Sequence, residues 1–377
     1  MTQSDLETGS PQATPSFRID QWLNIVVVAL LVAVLAGVGF FGYSIYRDRQ
    51  IEDQSSATGR IAAALGDQVR RSPNDTVLRV RYGEALGAMG KYQQAIDQFN
   101  AALKIDPKHV GAYLDLGMVA QLTKNFGAAE GYYQKVLSLT EGQDYANVNP
   151  TREQAYFNLG TMMLDQKRYA DAAGYFKASL RIRNDASDTY YSLAKAYQGL
   201  GDADAAIQQL EIALQFDPGF AEAHYFLGEL YQEKKDDVNA SYQYAQAVKL
   251  APTADVPKQA LEAYGSASDW LAKARQALGT GDIETALTDV LVARNLDASS
   301  FAAAKLHGQI LVERGSLKDA LDVYKQAAAL NSKDADVQAA IAKLTPQVKA
   351  LTPAQSAAMQ KAAAAKAAAK KATSTHK

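Results

Sequence analysis

Two hydrophobic patterns divide the chain. From Gln21 to Tyr46 no residue carries a formal charge, and from Ile25 to Phe41 every residue is apolar or glycine. Past residue 55 the pattern changes. Apolar positions return at helical spacing, separated by short turn-forming clusters such as "SPND" (72–75), and strand-like alternation is absent. The first pattern predicts one long apolar helix over 21–46. The second predicts a succession of amphipathic helices, so the expected fold class is all-α.

An apolar helix over 21–46 is long enough to cross a hydrocarbon layer of about 30 Å at roughly 1.5 Å per residue. Trp22 stands at one end, Tyr43 and Tyr46 at the other, followed by Arg47 and Arg49, the residue types that settle at a bilayer interface. The stretch "GVGFFG" (37–42) spells G-x-G-x-x-G, the phosphate-cradling pattern of dinucleotide folds. That reading requires a short strand before it and alternating strands after it, and neither follows. The glycines are therefore read as part of a transmembrane helix. Ala29, Ala33 and Gly37 recur every fourth residue, a narrow stripe along which two such helices would approach; a homo-oligomer is the partner state this implies. A cleavage site at "VLA" before Gly37 would make the segment a signal peptide, but the apolar run continues beyond it. The expected localisation is a single-pass membrane protein in contact with the bilayer through 21–46. The Lys/Arg flanks leave the side of the remaining chain open.

The amphipathic region repeats itself. "YGEALGAMGKYQQAIDQFNAALKIDP" (82–107) and "LAKAYQGLGDADAAIQQLEIALQFDP" (193–218) place small residues at the same offsets. Extending that frame gives copies starting at Thr76, Val110, Glu153, Ser187, Ala221, Ala267 and Phe301. Their eighth residues are Gly83, Gly117, Gly160, Ala194, Gly228, Ala274 and Gly308; the twentieth is alanine in every copy, from Ala95 to Ala320. This resembles the tetratricopeptide repeat, a helix-turn-helix unit of about 34 residues, in the style of membrane-anchored bacterial members. The resemblance implies a right-handed superhelical α-solenoid, in which stacking of the copies supplies the core that one copy lacks. It also implies that positions 8 and 20 lie where the paired helices cross closest, with Phe99, Tyr133, Phe176, Tyr244 and Tyr324 at position 24 filling the gaps.

The domain reading follows. An N-terminal arm (1–20) precedes the membrane helix (21–46), a juxtamembrane and capping segment (47–75), the repeats (76–334), a capping helix (335–351) and an Ala/Lys-rich basic tail (352–377). Insertions fall at 144–152, read as a loop, and at 255–266, read as extending the first helix of copy six from about Pro257. The tail holds Lys361, Lys366, Lys370, Lys371 and Lys377 with no acid, although the whole chain carries a net charge of -2. It is read as a solvated helix or disordered tail, a solubilising end in preference to a ligand for anionic headgroups, wall polymers or nucleic acid. No specific nucleic-acid partner is expected.

Catalytic chemistry is hard to place. The chain has no cysteine, which excludes disulfides, thiolate metal sites and a cysteine nucleophile. His109, His224, His307 and His376 fall in no H-E-x-x-H pattern, and neither G-x-S-x-G nor a P-loop occurs. Acidic pairs such as Asp236–Asp237 sit at repeat turns. No cofactor or metal is assigned, and the chain is not expected to be an enzyme.

What remains is the inner face of the repeats, which in this family is lined by the first helix of each copy. Position 5 supplies Phe157, Tyr191 and Tyr225 in succession; position 9 supplies Lys195 and Arg275 among Glu84 and Glu229. The resemblance implies that these aromatics hold apolar side chains of a protein partner's segment while Lys195 and Arg275 meet its charged groups. Replacing Tyr191 and Tyr225 by Ala is then expected to weaken capture without lowering thermal stability. The Lys/Asn clamp some members use for a C-terminal carboxylate matches only at Asn158 and Lys195, so it is not carried over. The function expected is a membrane-anchored scaffold or adaptor, the alternative a chaperone-like helper in envelope-protein or complex biogenesis.

Overall fold

The computed structural model describes residues 56–143 and 145–374. Among the described residues there is no strand, and the fold is an all-α tetratricopeptide solenoid. The chain divides into two compact units at Leu139/Thr140, next to the first insertion.

The first unit holds α1 (Ala57–Arg71), α2 (Thr76–Ala88), α3 (Tyr92–Ile105), α4 (Val110–Leu122) and α5 (Phe126–Thr140), whose last residue already belongs to the second unit. The second unit continues with α6 (Pro150–Asp165), α7 (Tyr169–Leu180), α8 (Ser187–Gly199), α9 (Ala203–Phe216), α10 (Ala221–Glu233) and α11 (Asp237–Leu250). Then come α12 (Asp255–Glu262), α13 (Ala267–Thr280), α14 (Ile283–Leu296), α15 (Phe301–Arg314), α16 (Leu317–Leu330), α17 (Ala335–Ala350) and α18 (Pro353–Ser374).

Local rules set the helix starts. Asp75, Asn149, Asp202, Asp236, Ser266, Ser300 and Asp334 each accept a hydrogen bond from an amide of the helix that follows, meeting donors no intrahelical carbonyl reaches. His109 does the same, its Nδ1 accepting from Ala112 N at 3.2 Å. The turn inside each hairpin is equally regular. Residue 15 of every copy is left-handed: Gly90, Lys124, Lys167, Gly201, Lys235, Gly281 and Gly315. The next amide donates back to the carbonyl of residue 11, as in Lys91→Leu86 at 2.9 Å and Ser316→Leu311 at 2.9 Å, the six-to-one bond of a Schellman motif. Three copies hold this turn with lysine, which tolerates a left-handed backbone poorly.

The hairpin cores follow a volume rule. A Cβ on Gly83 would sit 2.5 Å from the Phe99 ring, and one on Gly160 would sit 2.6 Å from that of Phe176. Each ring packs directly against bare helix backbone. Gly117/Tyr133, Gly228/Tyr244 and Gly308/Tyr324 repeat the arrangement. Copies four and six carry alanine at position 8, and there the partner is aliphatic: Ala194 clusters with Leu210 and Ala274 with Val290. The methyl gained on one helix is given up on the other, which keeps the spacing constant.

The insertions differ from expectation. Of the segment 144–152, the last residues are already helical, because Asn149 caps and Pro150 opens α6 ahead of Glu153. The segment 255–266 does not lengthen the first helix of copy six. It forms a separate helix, α12, stopped by left-handed Gly265, after which Ser266 caps α13 afresh. In this junction α11 packs against α12 and α14. Within the units the second helix of a copy otherwise receives the first helix of the next, as α3 receives α4, α7 receives α8 and α9 receives α10. Asn295 Nδ2 on α14 donates to Val238 O and Ser241 Oγ on α11, both at 2.9 Å, fixing the altered contact.

The membrane expectation is corrected. No helix among the described residues is long and apolar enough to cross a membrane; the longer ones are amphipathic or, like α18, interrupted by lysines. The segment 21–46 and its stripe Ala29, Ala33 and Gly37 lie outside the described residues. A single-pass membrane localisation is therefore no longer held.

Candidate functional site

The first helices of copies three and four, α6 and α8, line a cavity of ≈ 490 Å³. From α6 come Thr161, Leu164 and Asp165; from α8 come Tyr191, Ser192, Lys195, Gln198 and Gly199; Tyr169 closes one end from the start of α7. Tyr169 reaches that place because residue 199 is glycine: a Cβ there would run into the ring. The cavity is amphipathic, with tyrosine faces and a leucine beside one ammonium, one carboxylate and several neutral polar groups.

Tyr191 is held from behind. Its ring meets Phe220 at 5.0 Å and Phe226 edge-on at 5.8 Å. Burial raises its phenol pKa, and Glu222 and Glu229 add to the rise, so the hydroxyl stays neutral at ordinary pH. The Lys195 ammonium lies 5.4 Å from the Tyr191 ring centroid, a cation–π distance. Lys195 is exposed and enters no ion pair among the described residues.

The structure separates the other expected residues. Phe157 turns onto Phe176, 5.8 Å between centroids, and Tyr225 onto Tyr244 at 5.7 Å. Tyr225 also donates to Glu229 Oε1 at 2.8 Å, and burial with that bond lifts its pKa to about 12. Each of the three position-5 aromatics is half-buried in the packing between helices. Of these, Tyr191 lines the cavity, with Lys195 beside it. Arg275 is exposed on α13, beyond the α12 interruption, and does not line it. Sequence reasoning missed Tyr169, Asp165 and Gly199. The available signal was the glycine at position 13 in copy four, where copy three has Asp165.

Position 6 holds two buried polar atoms without a hydrogen-bond partner among the described residues, one in each unit. In the second unit Asn158 Nδ2 is buried and finds no hydrogen-bond acceptor among the described residues. In the first unit Asp115 Oδ2 is likewise without a donor. Burial, with Glu84 nearby, raises the Asp115 pKa to about 7. The described histidines have structural surroundings. Neutral His307 receives Arg294 Nη1 at 2.7 Å, and its pKa falls to about 4 through burial and that guanidinium. No group of three or more potential metal ligands occurs among the described residues.

The comparisons with known proteins agree with this architecture. Tetratricopeptide-repeat models match residues 110–185, 163–226 and 271–335, and a TPR-repeat model matches 83–122. The chain is 22% identical over 306 residues to DnaJ homolog subfamily C member 3 of Gallus gallus, covering 75% of this chain and 58% of that protein. It thus spans little more than half the length of this relative. Among solved structures, YrrB, titled a TPR protein with an unusual peptide-binding site, is 20% identical and covers 53% of this chain and 98% of its own, at a TM-score of 0.42. PilF of Pseudomonas aeruginosa is 19% identical and covers 63% and 99%, at a TM-score of 0.43. The matched segments carry the glycine–aromatic hairpins of copies one, two, three and seven with their Schellman turns, and the chain belongs to the tetratricopeptide-repeat family.

Proposed function

We propose that the protein is a non-catalytic interaction scaffold or adaptor that holds an extended segment of a protein partner between α6 and α8. The observation that carries this is the cavity itself, in which an exposed, unpaired Lys195 sits over Tyr191 beside the apolar walls of Leu164 and Tyr169. An acidic side chain next to an aliphatic or aromatic one fits such a lining, since Lys195 supplies the charge and the tyrosine faces supply the apolar contact. The reading also takes residues 76–334 as the repeat array, with α1 and α17 as its capping helices.

A second reading, a helper holding unfolded or assembling clients, is supported by the similarity to a DnaJ homolog. A phage-displayed random-peptide selection on the full chain tests the first. Under the scaffold reading the wild type enriches a consensus pairing an acidic with an apolar residue, and Lys195→Glu abolishes or inverts the charge preference at unchanged melting temperature. Enrichment of the same peptides by both proteins would end it. A broad, sequence-indifferent enrichment of apolar peptides would favour the second reading. Tyr191 is a poorer probe than the sequence suggested: its packing on Phe220 and Phe226 ties its replacement to stability.

A further inference from the structure

The C-terminal helix α18 is not simply solvated. Its start is fixed by the tetrad Thr352-Pro353-Ala354-Gln355. The Thr352 hydroxyl accepts from Gln355 N at 3.3 Å, and Gln355 Oε1 accepts from Thr352 N at 2.9 Å, a reciprocal cap with proline at the first helical position. Leu351 ahead of it is extended and ends α17. The direction of α18 is therefore set by the chain, and that direction lays it across the hairpin turns of copies six and seven. At Gly315, left-handed at φ 82, a Cβ would lie 3.0 Å from the carbonyl oxygen of Met359. Helix backbone meets turn backbone there, which a side chain would prevent. One residue on, Gln360 Nε2 donates to the buried Ser316 Oγ at 3.3 Å.

The seam is narrow. One side of it opens into a cavity of ≈ 480 Å³ bounded by Asp282, Glu284 and Asp319 on the turns and Ala363 and Ala364 on α18. On the other lies a space of ≈ 500 Å³ between Leu317, Leu351 and Met359. A helix seated on a seam flanked by gaps forfeits most of the dispersion contacts a close-packed face would give, so its attachment is weak. Charge is complementary across it in the sequence. Residues 353–374 contain four lysines and no acid, while the turns beneath present Asp282, Glu284 and Asp319, with Arg314 engaged by Glu284 at 3.2 Å.

We propose that the turn edge of copies six and seven, residues 281–284 and 314–319, is a docking surface for a cationic, alanine-rich helix, and that the chain's own α18 fills it in cis as a releasable latch. While the latch is seated, the turn at Gly315, Ser316 and Leu317 is covered and closed to any partner. Release uncovers that turn and the face of α18 that meets it together. The attachment depends on salt, because exposed charges lose most of their attraction once the Debye length falls from about 8 Å at physiological ionic strength to about 3 Å at 1 M.

Hydrogen exchange read by mass spectrometry on the full chain tests this. Amides of residues 353–364 are expected to be protected at low salt, to lose protection at 1 M salt, and to lose it at low salt in an Ala363→Glu/Ala364→Glu variant, with residues 267–330 unchanged. Because the chain has no cysteine, the pair Ser316→Cys/Gln360→Cys adds a check with unique thiols. Oxidation is expected to cross-link it within one chain. Equal exchange of residues 353–364 in wild type and the double-glutamate variant would overturn the latch. A cross-link formed only between two chains would overturn its action in cis.

Discussion

Copies three and four are neighbours of the same length and fold, yet they solve the same packing problem in opposite ways. Copy three crosses its helices with Gly160 under the Phe176 ring, while copy four uses Ala194 beside Leu210. Its turn is also different: copy three forces Lys167 into the left-handed region, and copy four places Gly201 there. To the cavity copy three brings Leu164 and the carboxylate of Asp165, and copy four brings Tyr191 and Lys195. The lesson is that the spacing of the helices is conserved as a sum over two positions, whereas the inner face is free to vary. The candidate site exists because two differently decorated copies stand side by side.

The sharpest way to break this comparison is to put copy four's residue into copy three alone. Gly160→Ala drives a methyl into the Phe176 ring and is expected to cost about 1–3 kcal/mol, a typical overpacking penalty, which alanine's better helix propensity of about 1 kcal/mol only partly offsets. Adding Phe176→Leu recreates the copy-four pair and is expected to restore most of the loss. A thermal melt of the single and double variants decides it, and failure of the second substitution to rescue would refute the volume rule.

Position 6 extends the comparison to copy two, where Asp115 stands in place of Asn158. With its pKa raised to about 7, the native state holds a proton that the unfolded chain releases near pH 4. Stability should therefore fall as pH rises from about 4 to 7 and remain lower above that. Asp115→Asn is expected to remove this dependence and to raise stability at pH 8 by about 1–3 kcal/mol, discounted from the full shift for relaxation around the site. Denaturant titrations at pH 5 and 8 measure both effects.

The turn contrast is smaller. Lys167→Gly relieves a left-handed side chain and is expected to stabilise by up to about 1 kcal/mol, since glycine's greater unfolded freedom takes back part of the 1–2 kcal/mol relieved. Gly201→Lys should do the reverse, and paired melts would show the two shifts in opposite directions. Smallest in stability is Lys195→Glu, an exposed substitution expected to leave the melt within about 0.5 kcal/mol while changing peptide selection.

Much of this was legible in the sequence, for identifiable reasons. Small residues at positions 8 and 20 are demanded by backbone contact and so recur whatever the copy's surroundings. Ala95, Ala172 and Ala320, all with no exposed surface, are read correctly from spacing alone. The aromatics at position 5 were legible as a series but not as a surface, because a period places a side chain on a helix without saying which neighbour claims it. Phe157 and Tyr225 went to Phe176 and Tyr244. The fate of Arg275 turned on α12, and the stop at Gly265 with the fresh cap at Ser266 decided that where hydropathy could not.

By itself the sequence determined the hairpin: its length, its turns and its tight crossings, all local or short-range demands that any copy must meet to fold. Tertiary structure alone decided three things. They are which tyrosine keeps a face toward an open cavity, how copy six joins copy five, and where the lysine helix comes to rest. Each depends on residues far apart in the chain meeting across a gap, and competition among neighbours for the same buried surface carries no periodic signature.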